Sequence, residues 1–105
     1  MIPWLLLLVA GLLEVVWAAA LKASDGFAHP GYAALTAVSA AASFWLLGLA
    51  MRDLPLGTAY SVWVGIGAAG AVIFGIVWFG DPATPLRLLA LGMILGGVAL
   101  LKVAG

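Results

Sequence analysis

The residue with the clearest chemical potential is Glu14, which lies inside the first long apolar run, Pro3–Leu21. It is the only ionisable residue well inside any such run. A carboxyl group within a membrane-spanning run is costly and usually faces a protein interior or a water-filled path, so it predicts a functional site. Lys22 is eight residues further on, about 12 Å along a helix, and should extend away from that depth. The carboxyl must therefore be neutralised by a proton or by a cation from solution.

Other polar and aromatic side chains could complete this site. Trp17 lies one helical turn from Glu14 on the same face and offers an N–H donor and a π face. The second run carries a polar stripe of Thr36, Ser39 and Ser43. Hydroxyls in membrane helices most often bond back to their own backbone. The alternative, strongest for Ser43, is that a serine hydroxyl orients the glutamate.

The third run places Tyr60 and Trp63 three residues apart, with Gly67 continuing the same face. Such aromatics usually pack or lie in the interfacial belt, but their depth is informative. Within one chain Trp63 and Glu14 differ in depth by about 7 Å, and against an inverted copy by about 3 Å. This favours an antiparallel pair of chains. We expect Gly65 and Gly67 to give the third helix flexibility or close packing.

The fourth run contains Gly92, Gly96 and Gly97. A G-x-x-x-G spacing in an apolar helix predicts a dimer contact, although a chance pair in a glycine-rich chain is an equally good explanation. The chain has no cysteine and a single histidine, His29, between apolar runs. No nucleophile–base pair or metal-ligand cluster is present in the sequence, so we expect no enzyme, metal or cofactor. Zero net charge gives no reason to expect a nucleic-acid partner.

The composition indicates that the apolar runs lie in a membrane. Of the 105 residues, 67% are hydrophobic and 8% charged, with a mean hydropathy of +1.29. Four runs approach the ~20 residues that a helix needs to cross a bilayer. We place them at Pro3–Leu21, Gly31–Met51, Gly57–Phe79 and Leu86–Val103, which predicts an all-α membrane protein with a single four-helix transmembrane domain over residues 1–105. We interpret the first run as a retained helix rather than a signal peptide, because no Lys or Arg precedes it.

The positive charges leave the orientation of the chain undecided. With four spans, Arg52 and Lys102 lie on one side of the membrane, and Lys22 and Arg87 lie on the other. The positive-inside rule therefore has no bias to act on. We expect both orientations to insert and opposite copies to pair as an antiparallel homodimer. The alternative is that other flanking features select one orientation.

Taken together, the motifs resemble the small multidrug resistance family of bacterial inner-membrane transporters over essentially the whole chain. The matching segments are Glu14-Val15 with Lys22, Ser24 and Gly26-Phe27, then Ser43-Phe44-Trp45-Leu46-Leu47, and Gly57-Thr58-Ala59-Tyr60 with Trp63, Gly65 and Gly67. Within the family, the multidrug branch typically has a glycine and a second-helix tyrosine where Trp17 and Ala40 stand here. Glu14-Val15-Val16-Trp17-Ala18 with Gly65-Ile66-Gly67-Ala68 is instead similar to the guanidinium-exporter branch.

The resemblance implies a proton-coupled antiporter that exports guanidinium and small guanidinyl cations from an antiparallel, dual-topology homodimer in membrane lipid. Two Glu14 carboxylates would hold the cation and exchange it for protons. The side chains of Trp17, Ser43, Tyr60 and Trp63 would line and order the shared site, and the fourth helix would form much of the dimer contact. Guanidinium chemistry agrees, because the planar ion pairs with carboxylates through two parallel hydrogen bonds and sits against indole faces.

Two other functions stay open on sequence grounds. A broader exporter of quaternary ammonium and other lipophilic cations would share the fold and the glutamate, and Trp17 is the feature that argues for a narrower pocket. A non-transporting membrane subunit with a structural glutamate would give no proton-coupled flux.

Overall fold

A computed structural model describes residues 2–104, and within them the chain forms four α-helices. They are α1 (Ile2–Ala23), α2 (Pro30–Ala50), α3 (Leu56–Trp78) and α4 (Pro85–Ala104). Each begins one residue before the span predicted from sequence. All four are long and apolar enough to cross a membrane, which confirms the predicted all-helical membrane fold.

The helices lie side by side in the order α2, α1, α3, α4. Helix α1 packs against both α2 and α3, whereas within residues 2–104 the backbone of α4 approaches that of α3 alone. The described chain measures 41 × 34 × 17 Å. It is therefore a thin layer of helices rather than a closed four-helix bundle.

Most of the buried apolar core lies at one end of this layer, where α1 begins, α2 ends and α3 begins. We call this region the packed end. Its buried residues are Leu7, Ala10, Leu47, Ala50, Ala59, Val62 and Trp63. Ile94 and Val98 bring α4 against Gly65 of α3, and Leu101 packs on the core. The packed end thus fixes α1, α2 and α3 relative to one another.

Glycines allow the close contact between α1 and α3. Ile66 lies over Gly11, where an added Cβ would be only 2.5 Å from Cγ2 of the isoleucine. Val15 lies over Gly70 in the same way. A helical glycine costs roughly 0.5–1 kcal/mol relative to alanine, and here the missing side chain provides room for a neighbouring one.

At the opposite end, a buried serine organises the α1–α2 connection. The Ser24 hydroxyl donates to the Leu21 carbonyl at 2.7 Å and accepts from the Phe27 N–H at 3.1 Å. The backbone then reverses through three left-handed residues, Asp25, Gly26 and Phe27. Pro30 opens α2, where its fixed φ suits the first helical position.

Candidate functional site

Glu14 lies on α1 with its carboxyl group against Gly67 of α3. A Cβ atom added to Gly67 would overlap the Glu14 carboxyl, so only glycine leaves room for it in this arrangement. The Oε1 atom is buried, and within residues 2–104 it has no hydrogen-bond partner. The other three acidic residues, Asp25, Asp53 and Asp81, lie in the connections. Since buried polar atoms are normally hydrogen-bonded, the site requires a proton, a cation or a donor from another molecule.

Trp17 carries the complementary group one turn further along α1. Its Nε1 atom is also buried and lacks an acceptor among the described residues. Residues three apart on a helix share a face, so a donor and an acceptor without partners lie on the same side of α1. This pair is the clearest indication in the fold of a ligand or partner-chain contact.

Ser43 connects three helices through two hydrogen bonds. Its hydroxyl donates to the carbonyl of Ala10 on α1 at 2.6 Å and accepts from the indole Nε1 of Trp63 on α3 at 2.9 Å. The side chain is completely buried. It therefore bonds neither back to its own helix nor, among the described residues, to Glu14. It orders the turn of α1 that precedes Glu14.

The other two hydroxyls of the polar stripe behave as membrane-helix hydroxyls usually do. Thr36 donates to the Tyr32 carbonyl at 2.8 Å, and Ser39 donates to the Leu35 carbonyl at 2.5 Å. Within residues 2–104, neither hydroxyl forms a hydrogen bond to another helix.

An aromatic cluster surrounds the Ser43–Trp63 bond. The rings of Tyr60 and Phe44 lie 5.7 and 5.6 Å from that of Trp63, measured between centroids. Trp63 is 6% exposed, but Tyr60 and Phe44 are 52% and 54% exposed. The cluster therefore presents two aromatic rings outside the chain's own core.

The predicted site residues fall into two groups within one chain. Glu14, Trp17 and Gly67 form one group, and Ser43, Tyr60 and Trp63 form the other. The link between them is Ala10, which precedes Glu14 by one helical turn, about 6 Å along the axis. The second group is displaced from Glu14 toward the packed end, which agrees with the different depths that the sequence predicts for Trp63 and Glu14.

The predicted packing glycines also differ in their surroundings. Gly65 and Gly67 are buried, with Val98 and Glu14 occupying the space where their side chains would be. No described atom lies within 4 Å of a Cβ placed on Gly92, Gly96 or Gly97. The glycine face of α4 is therefore uncovered within residues 2–104.

Sequence reasoning missed several contacts. It did not identify the Ala10 carbonyl, because a backbone acceptor has no sequence signature. It also did not identify the ring contact between Phe44 and Trp63. The spacing of Gly67 and Gly70, with Gly11 one turn before Glu14, is the signal that could have located the contact between α1 and α3.

The fold and the buried carboxyl group define a small multi-pass membrane protein. A sequence profile described as "Small Multidrug Resistance protein" matches residues 2–94, and the chain belongs to that family. The family consists of transporters rather than enzymes, and the chain is a multi-pass protein of the bacterial inner membrane.

Curated relatives are similar over nearly the whole chain. A "Guanidinium exporter" of Yersinia pseudotuberculosis is 52% identical over 101 residues, which cover 96% of this chain and 97% of the relative. Proteins with the same name from Salmonella typhimurium and Citrobacter freundii are 50% identical, with 96% of each chain covered.

Proposed function

We propose that the protein is a proton-coupled exporter of guanidinium and small guanidinyl cations. The observation that carries the proposal is the Glu14 carboxyl group, whose buried Oε1 has no hydrogen-bond partner among residues 2–104. The similarity to three relatives named guanidinium exporter supports the choice of cation. A carboxylate with a buried oxygen that has no partner among the described residues is suited to a ligand that brings both charge and N–H donors.

The chemistry of guanidinium calls for two carboxylates in one site. The ion is planar, and its N–H groups pair with carboxylate oxygens through parallel hydrogen bonds. One chain supplies a single intramembrane carboxyl group, Glu14. A homodimer with one shared site supplies two, and the indole of Trp17 offers a π face for the planar ion.

Three features support an inverted second copy. The chain is a thin layer, 17 Å in its smallest dimension. Helix α4 has no buried residue among those described, and its glycine face is uncovered. The Ser43–Trp63 group lies toward the packed end from Glu14, so an inverted partner can bring its own group closer to that depth. We therefore propose an antiparallel homodimer in which Ser43, Tyr60 and Trp63 of each copy complete the site.

The exchange step follows from the fixed charge of the substrate. Guanidinium does not shed a proton at neutral pH, so the carboxylates must change state instead. Proton uptake by Glu14 removes the charge that holds the cation and releases it on one side. The protonated, empty site then faces the other side, loses its protons and accepts the next cation. Guanidinium affinity should accordingly fall as pH falls, because protons and the cation compete for the same oxygens.

Flux through purified protein tests the proposal. Proteoliposomes loaded with guanidinium should release it when the outside solution is made more acidic than the inside. Protons should enter the liposomes as guanidinium leaves. Liposomes without protein give the background. Absence of proton-coupled flux in a folded dimer would contradict export and favour a non-transporting membrane subunit.

Competition between cations tests the selectivity. A quaternary ammonium or phosphonium ion has no N–H donor, and one charge-assisted hydrogen bond is worth roughly 1.5–3 kcal/mol. Guanidinium should therefore outcompete tetraphenylphosphonium at least about tenfold, and Trp17→Gly should reduce this preference by admitting the bulkier ion. Equal binding of the two cations by the wild type would favour a multidrug exporter.

Reporter fusions test the arrangement of the dimer. Reporters at the C-terminus should detect both orientations in one population, because each side of the membrane carries two basic residues. Added C-terminal lysines should shift the population toward one orientation. A wild-type chain found in a single orientation would contradict the antiparallel pair.

A further inference from the structure

The end of the molecule opposite the packed end contains a large apolar groove. It lies where α1 ends, α2 begins and α3 ends, and its volume is about 380 Å³. We call it the open-end groove. Its walls include Ala19 and Ala23 of α1, Tyr32 and Leu35 of α2, and Phe74 and Trp78 of α3. The groove is therefore apolar and carries aromatic rings on two sides.

A smaller, charged cavity adjoins the groove. It has a volume of about 160 Å³, and four apolar residues, Val15, Ala19, Phe74 and Phe79, line both spaces. The smaller cavity is also lined by Lys22 and Asp81. An apolar space thus continues into one that carries a positive and a negative charge.

The position of Asp81 favours a cation beside it. Its N–H donates to the Gly75 carbonyl at 3.0 Å, and its Cγ lies 3.2 Å from where a Cβ of Gly75 would be. The carboxylate therefore rests on the last turns of α3, where the helix carbonyls already create negative potential. Within residues 2–104, none of the side-chain hydrogen bonds involves Asp81 or the Lys22 ammonium. A cation from outside the chain would be stabilised by both the carboxylate and the carbonyls.

We propose that the open-end groove and its charged cavity bind phosphatidylethanolamine. An acyl chain occupies the groove, the phosphate pairs with Lys22, and the primary ammonium donates to Asp81. The site lies at the end of the membrane-spanning helices, where lipid headgroups are found, and Tyr32 and Trp78 suit that interface.

The charge pattern selects this lipid among common phospholipids. Phosphatidylglycerol offers no cation to Asp81. Phosphatidylcholine has a quaternary ammonium without N–H donors, so it loses the hydrogen bond to the carboxylate. The phosphate is common to all three lipids, which assigns headgroup choice to Asp81 and general phospholipid affinity to Lys22.

Native mass spectrometry of the full-length, delipidated protein tests the proposal. The protein is titrated separately with dioleoyl forms of phosphatidylethanolamine, phosphatidylcholine and phosphatidylglycerol, and retained lipid is counted. The wild type should prefer phosphatidylethanolamine roughly tenfold, the effect expected from one charge-assisted hydrogen bond. Asp81→Asn should remove this preference. Asp53→Asn is the matched control, because Asp53 lies in the connection on the opposite side of the membrane, and it should leave the preference intact.

Two further variants separate the headgroup from the acyl chain. Lys22→Gln should weaken retention of all three lipids, and Ala23→Phe should do the same by filling the groove. Equal retention of the three lipids by the wild type would overturn the proposal, as would an equal effect of Asp53→Asn and Asp81→Asn. If Ala23→Phe separates the dimer and leaves lipid retention unchanged, a second copy of the chain occupies the groove and the lipid assignment is wrong.

Discussion

The packed end and the open end of the molecule differ in how the same three helices meet. At the packed end, buried apolar residues and the Ser43 hydrogen bonds hold α1, α2 and α3 together. At the open end, the same helices leave a groove of about 380 Å³ and a charged cavity beside it. Glu14 lies between the two ends, one turn beyond Ala10, the last residue of α1 in the buried cluster of the packed end.

The difference shows that one chain leaves part of its own surface uncovered. Buried interiors are close-packed, so a groove of this size must be filled by a molecule from outside the chain, as the acyl chain of the proposed lipid does. In the proposed antiparallel pair, each packed end lies beside the open end of the partner. Glu14 of each chain then lies between a packed end and an open end. Its carboxyl group contacts α3 of its own chain and faces the partner.

The largest effect on guanidinium transport should come from removing the charge of Glu14, between the packed end and the open end. Glu14→Gln keeps the shape of the side chain but can neither hold guanidinium by charge nor carry the exchanged proton. Cation binding and exchange should fall to background, while a folded dimer remains. The measurement is guanidinium flux in proteoliposomes, with size-exclusion chromatography to follow the dimer. Asp25→Asn, which neutralises an acid in a connection, is the control and should retain flux; wild-type flux in Glu14→Gln would rule out the proposed role.

The architecture could be predicted from the sequence because membrane spans depend on length and composition. Four apolar runs separated by charged, Pro- and Gly-containing connections leave few alternatives. Each helix begins one residue before its predicted span. The unequal packing of the helices could not be predicted, since apolar faces toward lipid and toward protein look alike in a sequence.

The site was predictable in its residue types but not in its contacts. Glu14 stands out because an intramembrane carboxyl group is rare and costly. The space that Gly67 leaves for the Glu14 carboxyl group depends on the register of α3 against α1. The bond from Ser43 to the Ala10 carbonyl depends on the rotation of α2. Neither register nor rotation is encoded by residue spacing within a single helix.

The contact between Gly67 and the Glu14 carboxyl group provides the second test. Gly67→Ala adds a methyl group where the Glu14 carboxyl lies, and overpacking of this kind costs roughly 1–3 kcal/mol. We expect the displaced carboxyl group to lose one charge-assisted hydrogen bond to guanidinium, worth roughly 1.5–3 kcal/mol. The affinity measured by calorimetric titration in detergent should therefore fall at least about tenfold. Gly48→Ala is the matched control, because no described atom lies within 4 Å of its added Cβ. Equal affinities for the two variants would mean that Glu14 does not depend on its contact with α3.

Removing the two hydrogen bonds of Ser43 tests how much they contribute to the stability of the packed end. Ser43→Ala leaves the Ala10 carbonyl and the Trp63 indole without the partners they have here, and an unsatisfied buried group costs about 1–3 kcal/mol. The free energy of unfolding, measured by titration with SDS in mixed micelles, should fall by that amount. Ser39→Ala removes only a hydroxyl that bonds back to its own helix and should change it by less. Equal losses would show that the cross-helix bond adds no stability.

The smallest expected effect concerns a side-chain contact between the end of α4 and the start of α1. The Lys102 ammonium lies 5.1 Å from the ring centroid of Trp4, and Lys102 is exposed, so this cation–π contact should contribute about 0.5–1 kcal/mol. Lys102→Met removes the charge and keeps an unbranched apolar stem. Because it also removes a basic residue that bears on membrane orientation, a double-mutant cycle with Trp4→Leu on purified protein is the appropriate measurement. A coupling free energy near 0.5–1 kcal/mol would confirm the contact. Additive losses would show that this contact adds no stability and that the apolar residues of α4, such as Val98 and Leu101, hold it to the packed end.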